Sequence, residues 1–280
     1  VVPMKDLRLV VRERGRGAFV PSGSVFAYDV LYLRHFHPYI SEALLLAEWA
    51  EAEGLAVIDR ALTEGHHVQS KMYEYWKLSS AGLPVPPSFQ VMSLKNAYAA
   101  LGGSAFPLVA KGVHGSAGRY VFKLEDEASA RAALTEDLVG SFAFQDYLEL
   151  EAEYRVVVIG YRAFGTMRKV GISGDFRRNV ALGSDGELAE LPPEWLRMCE
   201  EAARLLKREF AGVDLAVSGG KPYILEVNRR PGFAGFEKAT GLNVAEAFIA
   251  YVAQDRDRRP AERRQVHALP GHHQEAGRLR

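Results

Sequence analysis

Two carboxylates and an amide in "AGVDLAVSGGKPYILEVN" have residue types and a spacing that suit a divalent cation. The turn "SGG" predicts a hairpin that places Asp214 and Glu226 opposite each other on its two strands. Asn228 lies two residues further on and shares the face of Glu226. Facing carboxylates between apolar strands repel at a cost of about 1 kcal/mol, which a divalent cation removes. Oxygen ligands suit Mg²⁺ or Mn²⁺. The open alternative is a register shifted by one residue, with both acids solvated.

A glycine-rich stretch, "PLVAKGVHGSAGRYVFKL" (107–124), offers a phosphate-binding loop. Lys111 ends one predicted strand, and Gly112, Gly115 and Gly118 follow at even spacing. A P-loop needs Lys and Ser or Thr after its last glycine and then a helix, and the dinucleotide fingerprint also opens a helix. Neither fits, which leaves a hairpin whose backbone N–H groups could fold over phosphates. A merely flexible hairpin is the alternative.

Arginines accompany both motifs. "GDFRRN" contributes Arg177 and Arg178, and guanidinium forks bind phosphate or carboxylate oxygens in pairs. Arginines held at the surface for solubility are the alternative. Arg230 follows the strand of Glu226, and it faces the site if that strand continues, because alternation sends it inward. There it could hold a carboxylate of an acidic substrate, unless it pairs with Glu237.

The composition excludes several classes of function. Lys and Arg total 35, as do Asp and Glu, so no global charge attracts nucleic acid or membrane. Cys199 is the sole cysteine, which excludes an internal disulfide and fits a reducing, cytoplasmic compartment. We interpret this residue as part of the core. No apolar run approaches the roughly 20 residues of a membrane span, and no signal peptide is visible. Because the chain begins "VVPMKD", we expect an N-terminal piece to precede it.

The elements that must position these residues follow from periodicity and caps. A strand, "YDVLYLRHF", precedes a helix capped by Ser41 and closed by Gly54. Alternation along the metal strand sends Tyr223, Leu225 and Val227 into a core. The predicted class is α+β, divided into an N-terminal module (1–65), a main domain (66–254) that contains a compact α+β module (88–147) and a metal-binding part (148–254), and a disordered basic tail (255–280).

Taken in order, these features resemble the ATP-grasp superfamily, and most closely its RimK-type ligases. The resemblance covers about residues 25–254. It is carried by "GLPVPPS", "PLVAKGVHGSAGRYV", "FQDYLE", "YRVVVIG", "SGDFRRN", "AGVDL" and "LEVNRRPGFAGFEKATGLNV". It implies an ATP-grasp fold, in which two α+β subdomains clasp ATP. The module at 88–147 is then a lid whose glycine hairpin closes on the triphosphate, and the N-terminal module (1–65) is Rossmann-like and shortened. Arg229 and Arg230 depart from the small residues usual before "PG".

The resemblance assigns roles position by position. Lys71 and Lys111 match the lysines that hold the α- and β-phosphates, and Gly115, Ser116 and Gly118 lie in the phosphate loop. Asp146 and Tyr147 match the hinge that reads adenine through its backbone, and Glu153 matches the acid that binds the ribose. Arg177, Arg178 and Asn179 match the loop that touches ATP and the reacting carboxylate, with Arg177 and Arg230 as the catalytic candidates. Asp214, Glu226 and Asn228 match the Mg²⁺ ligands.

The implied activity is an ATP- and Mg²⁺-dependent ligase that joins a carboxylate to an amino acid such as glutamate through an acylphosphate. The expected partners are a small amino acid and a carboxylate-bearing acceptor, either a small molecule or a protein C-terminus, with self-association into a homo-oligomer left open. Two alternatives remain: a small-molecule kinase on the same fold, and a nucleotide-binding protein without turnover. The paired acids argue against the second, and "EVNRRPGFAGFEKATG" argues against the first.

Overall fold

A computed structural model describes residues 1–13, 15–64, 70–112, 121–134, 142–170 and 185–257. The chain forms two compact units, one of Val1–His67 with Ala245–Arg280 and one of Val68–Val244. Helices and sheets occur in both, so the predicted α+β class is confirmed. None of the helices in these ranges is long and apolar enough to cross a membrane.

The first unit combines an antiparallel sheet with a parallel strand pair. Strands β1 (Arg8–Arg12), β2 (Gly15–Val20) and β3 (Gly23–Ser24) form the sheet in that order. The pattern does not predict it, because the glycines of "GRGAFV" interrupt the alternation of β2. Strands β4 (Val30–Tyr32) and β5 (Ala56–Ile58) pair in parallel across helix α1 (Ile40–Ala52).

The predicted start of α1 is wrong and its predicted end is confirmed. Tyr39, not Ser41, occupies the N-cap, because the N–H of Ala43 donates to the Tyr39 carbonyl at 3.0 Å and closes the first turn two residues earlier than predicted. Gly54 follows the helix with φ +87°, a left-handed conformation that glycine adopts without strain. The strand expected over 28–36 is confined to β4. The last helix, α7 (Val244–Asp257), extends three residues beyond the predicted end of the folded chain at 254.

The second unit contains the segments that bear the candidate site, in two sheets. Helix α2 (Lys71–Ser80) leads into a four-stranded antiparallel sheet of order β6-β9-β7-β8, on which α3 and α4 pack. Their bounds are β6 Ser88–Gln90, α3 Leu94–Leu101, β7 Leu108–Gly112, β8 Val121–Leu124, α4 Glu127–Ala133 and β9 Phe142–Asp146. Lys111 pairs with Val121, which confirms the predicted hairpin register at the strand ends, whereas 113–120 lie outside the described residues.

A five-stranded antiparallel sheet of order β12-β11-β10-β13-β14 follows, with α5 packed on one face. Its elements are β10 Ala152–Ile159, β11 Arg162–Val170, β12 Asp185–Leu188, α5 Pro193–Leu205, β13 Phe210–Ser218 and β14 Lys221–Asn228, and α6 (Ala234–Thr240) comes after them. Cys199, a residue of α5, is fully buried, as its interpretation as core required. The polar candidate residues lie on the opposite face of this sheet.

One predicted core assignment on β14 is wrong. Asp214 pairs with Glu226, but Leu215 pairs with Ile224, so an extra residue bulges at Leu225. The bulge shifts the alternation by one position beyond that point. Ile224 therefore joins Val227 in the core, fully buried, whereas Tyr223 and Leu225 are only partly buried.

Candidate active site

The predicted metal ligands lie side by side on the face of the five-stranded sheet opposite α5. Asp214 on β13 pairs with Glu226 on β14, and Gly212 pairs with Asn228, so the three polar side chains share that face. The register that the hairpin predicted is therefore confirmed. On the other side of β13, Arg155 of β10 pairs with Asp214. A row of charges thus runs across three strands.

Asp214 is held by two basic side chains. Arg155 donates from Nε to Oδ1 at 2.6 Å and from Nη2 to Oδ2 at 2.7 Å, and the Lys169 ammonium lies 3.2 Å from Oδ1. Burial alone would raise the pKa of Asp214, but Arg155 and Lys169 more than offset it, so that pKa lies well below its usual value. Asp214 is therefore a carboxylate throughout the physiological range.

Glu153 belongs to the same buried cluster. Its side chain is 9% exposed, and it accepts a hydrogen bond from Lys169, the residue that also approaches Asp214. Burial raises the pKa of Glu153, and Lys169 opposes this. In this arrangement Glu153 is committed to an ion pair, and its assignment to ribose binding stays a prediction.

Helix α2 meets the outer edge of β14. Lys71 lies at the start of the helix with its Nζ 3.4 Å from Glu226 Oε1, and Tyr75, one turn later, donates its hydroxyl to the Leu225 carbonyl at 2.9 Å. β14 is the last strand of its sheet, so alternate carbonyls point away from β13 and need partners from elsewhere. The bulged Leu225 carbonyl finds one in Tyr75.

Arg208 binds the next outward-facing carbonyl along this edge, that of Val227. It lies 6% exposed, donates to the Val227 carbonyl between Glu226 and Asn228, and binds Glu74 of α2 at 2.6 Å. Helix α2 therefore contacts the predicted metal ligands in two ways. Lys71 binds Glu226 directly, and Glu74 binds Arg208, which in turn holds the backbone between Glu226 and Asn228.

Lys111, at the end of β7, donates to Gln145 on β9 at 2.5 Å, and Gln145 in turn donates to Ser88 at 3.1 Å. Burial and the neighbouring Lys71 lower the pKa of Lys111 to about 8. The two predicted phosphate lysines are thus brought close enough to repel each other. Such a pair of ammonium groups favours a polyanion between them.

The donor set fits Mg²⁺. Two carboxylates and an amide are oxygen ligands, and Mg²⁺ binds through a few of these together with substrate phosphates and water. In the described ranges no three His, Cys, Asp or Glu side chains converge as a metal cluster, so the protein ligands alone would leave the shell incomplete. Asn228 Oδ1 already accepts the N–H of Arg230 at 2.9 Å and keeps one lone pair for a cation.

Other predicted residues are placed less directly. The N–H groups of Asp146 and Tyr147 donate to the Pro87 and Pro107 carbonyls, so adenine contacts at this hinge would require carbonyl oxygens or neighbouring residues. The prediction that Arg230 faces the site assumed that its strand continues to this residue. β14 instead ends at Asn228, and Arg230 is exposed in a bend. Its role in binding an acidic substrate stays a prediction, without support from strand alternation. Six predicted residues lie outside the described residues: Gly115, Ser116, Gly118, Arg177, Arg178 and Asn179.

Sequence reasoning missed Lys169, Gln145, Tyr75 and Arg208. Lys169 had a usable signal, because a lysine two residues beyond Met167 on a buried strand shares its face and must find an anion. Arg208 gave none, since its partners Val227 and Glu74 lie 19 and 134 residues away in the chain.

Paired lysines beside carboxylates, borne on two antiparallel sheets with helices, define an ATP-grasp protein, and solved structures of that class share the fold. One of them, the ATP-grasp ligase PsnB complexed with minimal precursor, Mg and ADP, superimposes with a TM-score of 0.65 at 23% identity, over 91% of this chain and 87% of that one. The model of the RimK-like ATP-grasp domain matches residues 78–252, more than half of the chain. The chain belongs to the RimK-like ATP-grasp family.

Two curated relatives show how far the similarity extends. Glutamate–LysW ligase ArgX of Sulfolobus acidocaldarius is 30% identical over 233 residues, which is 80% of this chain and 82% of that protein. Probable alpha-L-glutamate ligase 1 of Shewanella sp. strain MR-4 is 33% identical over 150 residues, 52% of this chain and 50% of that protein. The match thus spans about half the length of the alpha-L-glutamate ligase of strain MR-4.

Proposed function

We propose that this chain is an ATP- and Mg²⁺-dependent ligase that forms an amide between a carboxylate and the amine of an amino acid such as glutamate. The observation that carries the proposal is the cross-strand set Asp214, Glu226 and Asn228, with Lys71 bound to one of its members. The relatives support the substrate class, because they are named for glutamate ligation and one is named for a protein acceptor, LysW. The PsnB complex, which contains a precursor, Mg and ADP, supports the use of nucleotide and metal.

The reaction has two steps. A carboxylate oxygen of the acceptor attacks the γ-phosphorus of ATP, the bond to the β-phosphate oxygen breaks, and ADP leaves. The amine nitrogen then attacks the acyl carbon of the acylphosphate, phosphate leaves with the bonding electrons, and the nitrogen loses a proton. A bound Mg²⁺ would supply charge neutralisation on the phosphates.

In the proposed reaction, the residues of the chain position the phosphates of ATP and stabilise their negative charge. Lys71 and Lys111 bring two ammonium groups to where the α- and β-phosphates are expected, and Gln145 fixes the Lys111 side chain at 2.5 Å. Positioned cations in a buried site favour the charge that develops on a transferring phosphoryl group. Arg177 of the "GDFRRN" segment and the glycine-rich stretch are proposed to complete the phosphate contacts.

The test is a screen of amino acids for ATP-dependent phosphate release, with mass spectrometry of the product. Amide formation is expected, and a phosphate ester would instead identify a kinase. Glu226→Gln should lower turnover at least about a hundredfold while circular dichroism and the melting temperature stay unchanged. Glu187→Gln is the matched control, since this acid pairs with Arg168 at the surface, where its side chain is 57% exposed. Near-normal turnover of Glu226→Gln would remove Glu226 from the site.

A further inference from the structure

The proposed metal ligand Asp214 has both of its carboxylate oxygens occupied by protein cations. Arg155 takes Oδ1 and Oδ2 in a two-point contact at 2.6 and 2.7 Å, and Lys169 approaches Oδ1 at 3.2 Å. Bidentate guanidinium–carboxylate pairs are among the strongest charge-assisted contacts in proteins. A divalent ion that binds Asp214 must therefore compete with these partners for the same oxygens.

The local backbone is shaped to hold Arg155 in this position. Gly212 lies on β13 two residues before Asp214, and a Cβ added there would meet Arg155 Cδ at 3.0 Å and Pro231 Cβ at 2.9 Å. The aliphatic part of the Arg155 side chain thus occupies the space that a side chain at position 212 would need. The side chains of Arg155, Lys169 and Asp214 are 15%, 4% and 9% exposed, so water screens their interactions weakly.

The charges around Asp214 disfavour a free cation. Among the described residues, four basic side chains, those of Lys71, Lys111, Arg155 and Lys169, accompany three carboxylates, those of Glu153, Asp214 and Glu226. The excess of one positive formal charge repels a divalent ion that arrives alone. A nucleotide triphosphate reverses the sign, and its oxygens offer guanidinium and ammonium groups the same kind of partner as a carboxylate.

We infer that Arg155 and Lys169 are resident counter-cations of Asp214, which keep divalent metal out of the site until nucleotide phosphates arrive. The inference rests on the proposed function, because it concerns the metal site assigned there. It makes Arg155 and Lys169 positioning residues that act through Asp214. It also sets the order of binding: nucleotide, or nucleotide with its metal, comes before any metal bound by the protein alone.

Mn²⁺ binding, followed by electron paramagnetic resonance of the free ion, tests the order without any turnover. The full chain is titrated with Mn²⁺ alone and again with saturating ADP. Wild-type protein should take up no stoichiometric Mn²⁺ without nucleotide and should bind it with ADP. Arg155→Met should bind Mn²⁺ without nucleotide at least about tenfold more tightly than wild type. Arg155→Lys, which keeps the charge but loses the two-point contact, should fall between them.

Arg162→Met is the matched control, because this arginine lies on β11 with its side chain 80% exposed and should leave Mn²⁺ binding unchanged. Stoichiometric Mn²⁺ binding to nucleotide-free wild type, abolished by Glu226→Gln, would overturn the inference and leave the metal site standing. Absence of protein-dependent Mn²⁺ binding even with ADP would overturn the proposed metal site itself. If Arg155→Met fails to fold, Lys169→Met and Arg155→Lys carry the same comparison, and wild-type affinity in both would overturn the inference.

Discussion

Loss of Arg208 is expected to destabilise the second unit more than any surface arginine does. Arg208 is 6% exposed, pairs with Glu74 at 2.6 Å and holds the Val227 carbonyl. Removing one member of a buried ion pair leaves an uncompensated charge, at a cost of about 3–5 kcal/mol. Arg208→Met leaves Glu74 in that state and also strips the Val227 carbonyl of its donor. At about 2–4 °C per kcal/mol for a unit of this size, the melting temperature should fall by about 10 °C or more.

Urea unfolding of a double-mutant cycle measures the pair. Glu74→Leu should also destabilise the protein, since it removes the carboxylate that pairs with the buried Arg208 guanidinium. The double variant should cost less free energy of unfolding than the sum of the single variants, with a coupling of about 2 kcal/mol or more. Arg204→Met is the control, because Arg204 pairs with Glu201 at the surface, where the arginine side chain is 51% exposed, and should change the free energy by about 0.5 kcal/mol or less.

Two results would refute this reasoning. One is an Arg208→Met variant no less stable than Arg204→Met, which would mean that the buried pair contributes nothing. The other is strict additivity in the cycle, which would mean that Arg208 and Glu74 do not interact. If the coupling is present, the same single variants should also weaken Mn²⁺ binding with ADP, because Val227 lies between Glu226 and Asn228.

Three further predictions follow from single residues. The affinity for ATP should fall as pH rises through about 8, where Lys111 loses its proton, and titration calorimetry of Lys111→Arg, which stays charged, should show a flat profile. Burial raises the pKa of Cys199 to about 12, so a thiol reagent should leave the native protein unlabelled and react fully in urea; labelling of the folded protein would contradict its core position. Arg230→Ala should raise KM for an acidic substrate about tenfold and leave KM for ATP unchanged; equal losses for acidic and neutral substrates would reject that role.

Local signals predicted the elements that carry the site. The turn "SGG" set the start of this hairpin, because Gly219 and Gly220 take φ of +57° and +69°, which a tight turn requires, and the pairing of Asp214 with Glu226 also needs the bulge at Leu225. Ser93 caps α3 through the N–H of Asn96 at 3.3 Å, as its position before an apolar pattern indicates. Such features depend on residues a few positions apart, so the sequence alone contains them.

Features that depend on contacts distant in the chain were not predicted. The bulge at Leu225 breaks the alternation that assigned the core face of β14, and its carbonyl is satisfied by Tyr75, 150 residues earlier. The start of α1 depends on the turn at Tyr39 rather than on the better capping residue Ser41. In each case a hydrogen bond to a backbone carbonyl accompanies an arrangement shifted by one or two positions from the predicted one.

The charge balance of the site also depends on contacts that are distant in the chain. The sequence alone indicates that a divalent cation relieves the repulsion between Asp214 and Glu226. In the fold, Arg155 and Lys169 also relieve it, because β10 and β11 bring them to the same face. If Asp214 and Glu226 hold metal as proposed, the paired acids do not need that metal in order to be neutralised in the folded chain. A fold that neutralises its proposed metal ligands in this way can be stable without metal even though the proposed reaction requires it.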